Sequence, residues 1–158
     1  MQVKDAMTAD VRLINPDHTL AEAARTMSEI DAGSLPVRED DRLVGMITDR
    51  DIAVRGIGAG MGPDAKVRDV MSHDVKFCYE DDDVEDVSRN MANIQLRRLP
   101  VLTRDRRLVG IVSIGDIATH AKNECAGDAL EGVARKSSQH NQSLTADWEH
   151  RGGAYDAV

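Results

Sequence analysis

Residues 95–116 read QLRRLPVLTRDRRLVGIVSIGD, and their skeleton is already present upstream, where residues 34–51 read SLPVREDDRLVGMITDRD. Each stretch is an LPV run, a polar turn, an LVG run, and a hydroxyl residue three positions ahead of an aspartate. Two short apolar runs across a polar turn are the mark of a β-hairpin, and the hydroxyl-x-x-acid that follows marks a helix start. A unit written twice in one chain implies two related substructures facing a shared cleft.

The repetition extends outward from the hairpins. At an offset of 64 the pairs Val3/Val67, Asp5/Asp69, Met7/Met71, Asp10/Asp74, Arg25/Arg89, Met27/Met91, Leu35/Leu99 and Pro36/Pro100 match, and past the turn the offset becomes 65, with Gly45/Gly110, Asp51/Asp116 and Ile52/Ile117. A one-residue slip inside a hairpin loop leaves both strand registers intact. Each unit reads β-α-β-β-α, a mixed α/β (α+β) pattern. First strands are expected at 11–14 and 75–78, and hairpins at 34–38 with 43–48 and at 98–102 with 108–113. Thr19 with Glu22, and Asp83 with Asp86, announce the first helices, and apolar stripes such as Leu20, Ala23, Met27 and Val84, Val87, Met91 follow at helical spacing. Second helices are expected at 49–56 and 114–122. The domain reading is repeat one at 1–58, a Gly-rich connector at 59–66, repeat two at 67–123 and a polar tail at 124–158. In that tail a short helical turn is expected near 129–135 and disorder from about Ser137, with the lone Trp148 inside it.

At 158 residues the chain is long enough for a real core, and with one Trp, one Phe and two Tyr that core must be aliphatic. The net charge of −8 argues against nonspecific binding to nucleic acid or anionic membranes. The charge is uneven: residues 65–123 are balanced, while both flanks are acidic. Cys78 and Cys125 lack metal-ligand spacing, and the expectation is two reduced thiols, with Cys78 buried in a strand. No apolar run approaches the length of a membrane span, and no basic-then-apolar leader opens the sequence, so a soluble cytoplasmic protein is expected. The five His are scattered without a Ser, Cys or ligand partner, so neither a catalytic nor a metal site is expected.

The chemistry-bearing residues are the repeated ones. Thr48-x-x-Asp51 and Ser113-x-x-Asp116 are open to two readings. One is a plain helix cap. The other is a site in which a hydroxyl and helix amides hold a phosphate oxygen while the carboxylate accepts from a vicinal diol, with the preceding Gly45 or Gly110 allowing close approach. Arg97 and Arg98 either supply the phosphate counter-charge or are solvated at a strand edge. The acidic run 80–83 lacks calcium-loop alternation and reads as helix-start charge. Arg104, Arg106 and Arg107 read as a solvated turn.

These tandem units, with VKDAMT and VRDVMS openings, LPV runs, and GMITDRD and GIVSIGD closings, resemble a pair of CBS (cystathionine-beta-synthase-type) domains, the Bateman module. The chain is also similar to the small stand-alone CBS-pair proteins of actinobacteria, where a like TDRDI helix precedes a Gly-rich loop and Pro; this carries a stress-response association. The resemblance implies two units related by a pseudo-twofold axis, with clefts that take AMP, ADP, ATP or another adenosyl compound, and no catalysis. It implies one cleft of Thr48 and Asp51 with Arg97, Arg98 and Arg68 on phosphate and Val75 and Lys76 framing the base. The other is implied to hold Ser113 and Asp116 with Val11, Arg12, Gly33 and Ser34. Arg97 and Arg98 stand where the first repeat has Gly33 and Ser34, so two unequal sites are expected, the arginine-bearing cleft being the better anion site. The resemblance also implies a homodimer and a regulated protein partner in trans. The competing expectation is a ligand-free dimeric protein acting through its interactions.

Overall fold

The computed structural model describes residues 1–120 and, beyond them, Gly127, Leu130, Glu131, Gly132 and Ala134. In the first unit α1 (Leu20–Ile30) leads into β1 (Ser34–Glu39) and β2 (Arg42–Thr48), which pair antiparallel. In the second, β3 (Cys78–Tyr79) precedes α2 (Val84–Ile94), β4 (Arg98–Leu102), β5 (Leu108–Ser113) and α3 (Ile114–His120). Strand β3 runs parallel to β4, and β4 is antiparallel to β5. The mixed helix and strand architecture is the one the repeat predicts.

Helix α1 starts as its sequence says. The Thr19 hydroxyl accepts from the Glu22 amide at 3.2 Å while the Glu22 carboxylate accepts from the Thr19 amide at 2.7 Å, a reciprocal cap. The start of α2 departs from expectation. Asp83 accepts from the Glu85 amide at 2.8 Å, and Asp86 pairs with Arg89 rather than reaching back. Its side chain is one methylene shorter than the Glu22 that closes the box in α1.

The expected first strands shrink. Around 11–14 only Ile14 bridges, in parallel, to Val37, and in the second unit the strand is Cys78–Tyr79 rather than 75–78. The LPV proline sets the limit. Ile14 donates to the Pro36 carbonyl at 3.1 Å and accepts from Arg38 at 2.9 Å, but the next rung back would need an amide proton that Pro36 lacks. Pro100 imposes the same stop beside Cys78. The second helix of unit one is also altered, because residues Asp51–Gly56 widen into a π-helix followed by a 3₁₀ turn at Ile57–Ala59. This seats Gly56 against Leu20, where a β-carbon would lie 2.9 Å from Leu20 Cδ1.

The two units are tied by exchanged openings. One core gathers Leu20, Ala23, Met27, Leu35, Val37 and Ile47 with Val67, Val70 and Met71, which come from the start of the second repeat. The other gathers Val84, Val87, Met91, Leu99, Val101, Val112 and Ile117 with Val3 and Ala6 from the start of the first. The backbone follows suit: Val3 donates to the Asp82 carbonyl at 3.0 Å and Val67 to the His18 carbonyl at 2.9 Å. Bridges Thr8–Ile111 and Met46–Ser72 complete the exchange. The LVG glycines serve this crossing. A β-carbon on Gly45 would lie 2.7 Å from Met71 Sδ and 2.8 Å from the Ser72 carbonyl oxygen, and one on Gly110 would lie 2.7 Å from both Met7 Sδ and the Thr8 oxygen. The close approach read from these glycines is therefore made by the opposite opening segment.

Candidate functional site

Both hydroxyl-acid pairs close reciprocally. Thr48 Oγ1 accepts from the Asp51 amide at 3.0 Å and Asp51 Oδ2 from the Thr48 amide at 3.0 Å. Ser113 Oγ accepts from the Asp116 amide at 3.1 Å, while Asp116 Oδ2 accepts from the Ser113 amide at 2.8 Å and its hydroxyl at 2.7 Å. The capping reading is thus realised twice. It uses one oxygen of each carboxylate and fixes the other in direction. In Asp51 that second oxygen lies 3.8 Å from Arg55.

Two cavities flank the hairpins, each between the start of a unit's hairpin and its second helical segment; the first is bounded also by the end of α1, the second by Gly127 and Leu130 instead. The first, about 490 Å³, is walled by Met27, Asp31, Gly33, Asp49, Ile52 and Ile57 among others. The second, about 580 Å³, is walled by Arg97, Arg98, Ser113, Ile114, Gly115, Ala118, Gly127 and Leu130. The hairpin registers explain this grouping. Arg98 is the cross-strand partner of Ser113, and Ser34 that of Thr48, so each residue pair ahead of LPV sits beside its own unit's hydroxyl. The expected arrangement drew Arg97 and Arg98 toward Thr48 and Asp51. The cavity walls bring the arginines together with Ser113 instead.

Of the expected residues only Gly33 lines the first cavity and Arg97, Arg98 and Ser113 the second; the others, Thr48, Asp51, Ser34 and Asp116 included, lie on neither of these two walls. Arg68 is held by Asp17 at 2.8 Å and Glu39 at 3.1 Å, and its hydrogen bonds to both carboxylates raise its pKa. Lys76 bonds Asp74 at 3.0 Å, Val75 is half-buried, and Arg12 lies 3.5 Å from Glu29 beside the half-buried Val11. Arg104, read as a solvated turn residue, spans Asp81 at 2.8 Å and Asp82 at 3.0 Å and lies 4.0 Å over the Tyr79 ring. Arg97 and Arg98 differ from all of these: both are exposed, and among the described residues neither has an ion-pair partner.

Sequence reasoning missed Asp49 and Leu130. Asp49 stands inside the TDRD closing that was read for Thr48 and Asp51 alone, and the offset of 65 to Ile114 would have marked the acid-for-apolar exchange. Leu130 carried no periodic signal, since the repeat ends before it.

A duplicated α+β unit with exchanged openings and paired cavities defines a tandem-repeat module. The CBS domain family model matches residues 3–56 and 67–123, so this chain belongs to the CBS-domain family as a tandem pair with the Bateman-module fold. The chain is 40% identical over 136 residues to the CBS domain-containing protein YhcV of Bacillus subtilis, covering 85% of this chain and 96% of that one. It is 39% identical over 119 residues to Hypoxic response protein 1 of Mycobacterium tuberculosis, covering 74% and 82%. Among solved structures, Hypoxic Response Protein I with two coordinated zinc ions superposes with a TM-score of 0.71 at 37% identity, covering 77% of this chain and 100% of that one. CBSX2 in complex with AMP gives 0.68 at 26% identity, covering 76% and 95%. The CBS domain pair of MJ0100 with 5-methylthioadenosine and S-adenosyl-L-methionine gives 0.66 at 28%, covering 75% and 94%. Among the described residues of this chain, no group of three or more His, Cys, Asp or Glu gathers as a metal site.

Proposed function

We propose that this chain is a cytoplasmic regulatory sensor that takes an adenosine nucleotide or a related adenosyl compound and performs no catalysis of its own. One observation carries this reading: two adjacent exposed arginines, with no ion-pair partner among the described residues, share a cavity with a hydroxyl, whereas the other basic residues expected at a site, Arg12, Arg68 and Lys76, are matched to carboxylates. Unspent guanidinium donors are what a phosphate or carboxylate ligand requires. Ser113 adds a hydroxyl that Asp116 holds in place from off the wall, and Ile114 and Ala118 offer an aliphatic surface to a base. The AMP of CBSX2 and the adenosyl ligands of MJ0100 support this ligand class. Gly33, next to Ser34, the cross-strand partner of Thr48, lines the corresponding first cavity, which Asp31 and Asp49 on its wall make the poorer site for an anion.

The second reading is a dimeric interaction protein whose cavities hold no ligand. It is favoured by Val54 and Ile57, which are 53% and 60% exposed on the helical segment beside the first cavity. A second copy of the chain, or a regulated protein in trans, is the partner this face would meet. Thermal unfolding of the whole chain with AMP, ATP and S-adenosylmethionine separates the readings. A rise in Tm that Arg97→Ala/Arg98→Ala abolishes supports the sensor, because a ligand binding only the native state must raise stability. No rise with any of the three at millimolar concentration supports the interaction protein.

A further inference from the structure

The second cavity has a wall that the first lacks. In the first unit the chain leaves the second helical segment through the Gly-rich connector and goes on to build the opening of the second repeat. In the second unit two residues beyond α3, Gly127 and Leu130, line the same cavity as Arg97, Arg98 and Ser113. The described residues here, Gly127, Leu130, Glu131, Gly132 and Ala134, are helical, within or next to the turn expected near 129–135; Trp148 and the stretch from Ser137 lie outside the described residues.

Gly132 shows why this wall sits where it does. A β-carbon on it would lie 2.5 Å from Ala92 Cβ, 2.9 Å from Ala92 Cα and 3.2 Å from the Ala92 carbonyl oxygen. Those atoms belong to the body of α2, so no rotamer change clears them. Glycine inside a helix costs about 1 kcal/mol relative to alanine, and close approach of two backbones is the usual compensation. Leu130 lies two residues before this contact, at the cavity, and is 58% exposed.

We propose that Gly132 docks the C-terminal stretch on α2, and that Leu130 thereby forms the apolar wall that decides which anions the Arg97–Arg98 cavity retains. The inference rests on the sensor reading of that cavity. The arginines and Ser113 make one polar end, Ile114 and Ala118 one apolar side, and Leu130 the facing apolar side. A ligand with an anionic group and a planar or apolar body meets both; inorganic phosphate meets only the polar end. The two cavities therefore differ in enclosure as well as in charge.

The test uses the full chain and four proteins: wild type, Leu130→Ala, Gly132→Val and Arg97→Ala/Arg98→Ala, titrated calorimetrically with ATP and with inorganic phosphate. The expected result is ATP binding about tenfold weaker in both Leu130→Ala and Gly132→Val, the scale of one lost Leu contact. Phosphate binding should be unchanged in those two variants and lost in the arginine variant. If the arginine variant loses ATP while the other two bind it as wild type does, the wall proposal is overturned and the sensor reading stands. If wild type binds no nucleotide, the sensor reading fails, and docking is judged by amide exchange at Met91 and Ala92. Exchange about tenfold faster in Gly132→Val than in wild type upholds docking, and equal exchange overturns it.

Discussion

The carbonyl of Gly33 accepts the amide of Asp49 at 2.9 Å, and at the equivalent joint the carbonyl of Arg97 accepts the amide of Ile114 at 3.1 Å. One backbone contact thus carries a glycine and an acid in the first unit, and an arginine and an aliphatic residue in the second. Both side-chain changes push the cavities apart in charge.

This relationship predicts how the first cavity can be converted. A β-carbon on Gly33 would sit 2.9 Å from Asp49 Oδ2, so Gly33→Arg places its guanidinium within reach of that carboxylate. The new arginine is expected to pair internally and leave the anion affinity of the first cavity unchanged. Gly33→Arg/Asp49→Ile frees it, and phosphate binding should tighten about tenfold over the single variant, the scale of one charge-assisted hydrogen bond. Calorimetry in an Arg97→Ala/Arg98→Ala background silences the second cavity. Equal affinity in the single and double variants would contradict the assignment of Asp49 as the blocking charge.

The exchanged openings predict a stability cost at the LVG glycines. Alanine at Gly45 or Gly110 must displace a methionine sulfur and also a carbonyl oxygen, that of Ser72 or Thr8, which is fixed by its bridge to the opposite strand. Overpacking of this kind costs ~1–3 kcal/mol. Urea unfolding should show similar losses for the two variants. Met7→Ala in the Gly110→Ala background should not restore stability, because the Thr8 oxygen still blocks the β-carbon; full rescue would place the conflict in the side chain alone.

The reading of β1, β2, β4 and β5 from sequence rested on the short apolar LPV and LVG runs on either side of a polar turn, and the structure places a paired strand on each. The caps were legible for the same local reason: Thr19 and Glu22 are three residues apart. What stayed hidden is non-local. Nothing in VKDAMT or VRDVMS states that each packs on the other repeat, because burial of Val3 and Val67 looks alike whichever core receives them. The same holds for Arg68, whose partners Asp17 and Glu39 are distant in sequence. The cross-unit grouping of Arg97 with Thr48 was inherited from a family likeness, whereas Arg98 opposite Ser113 follows from hairpin register, which the sequence already contained.

Cys78 predicts a response at high pH. It is buried with Sγ 3.8 Å from the Pro100 carbonyl, and burial, with a smaller push from Asp82, drives its thiol from 9.0 up to about 12. The fold favours the protonated form. Its contribution to stability is therefore complete below pH 9 and declines as pH rises from there toward 12. The Cys78→Ala variant should lose this part of the alkaline decline, so that the stability gap between it and wild type narrows above pH 9. In a Cys125→Ser background at pH 8, alkylation of Cys78 should be limited by unfolding and should accelerate sharply in urea. Rapid alkylation in buffer would show that the thiol is accessible and the burial incorrect.

Arg68 predicts a response at low pH, with the opposite sign. Its hydrogen bond holds the Asp17 carboxyl below the ordinary 3.8. A carboxyl depressed in the folded state contributes stability that is present above the unfolded value and lost as pH falls through the lower folded value. The stability difference between wild type and Arg68→Ala should accordingly be constant above about pH 5 and close progressively below 3.8. The partners are exposed, so the difference should be small and shrink further in 1 M salt. Urea midpoints measured from pH 2.5 to 7 decide the matter. A gap that persists at pH 2.5 would mean that Arg68 joins the opening of the second repeat to the first unit by the packing of its aliphatic stem, and that its charge pairs with Asp17 and Glu39 contribute nothing to holding the exchange together.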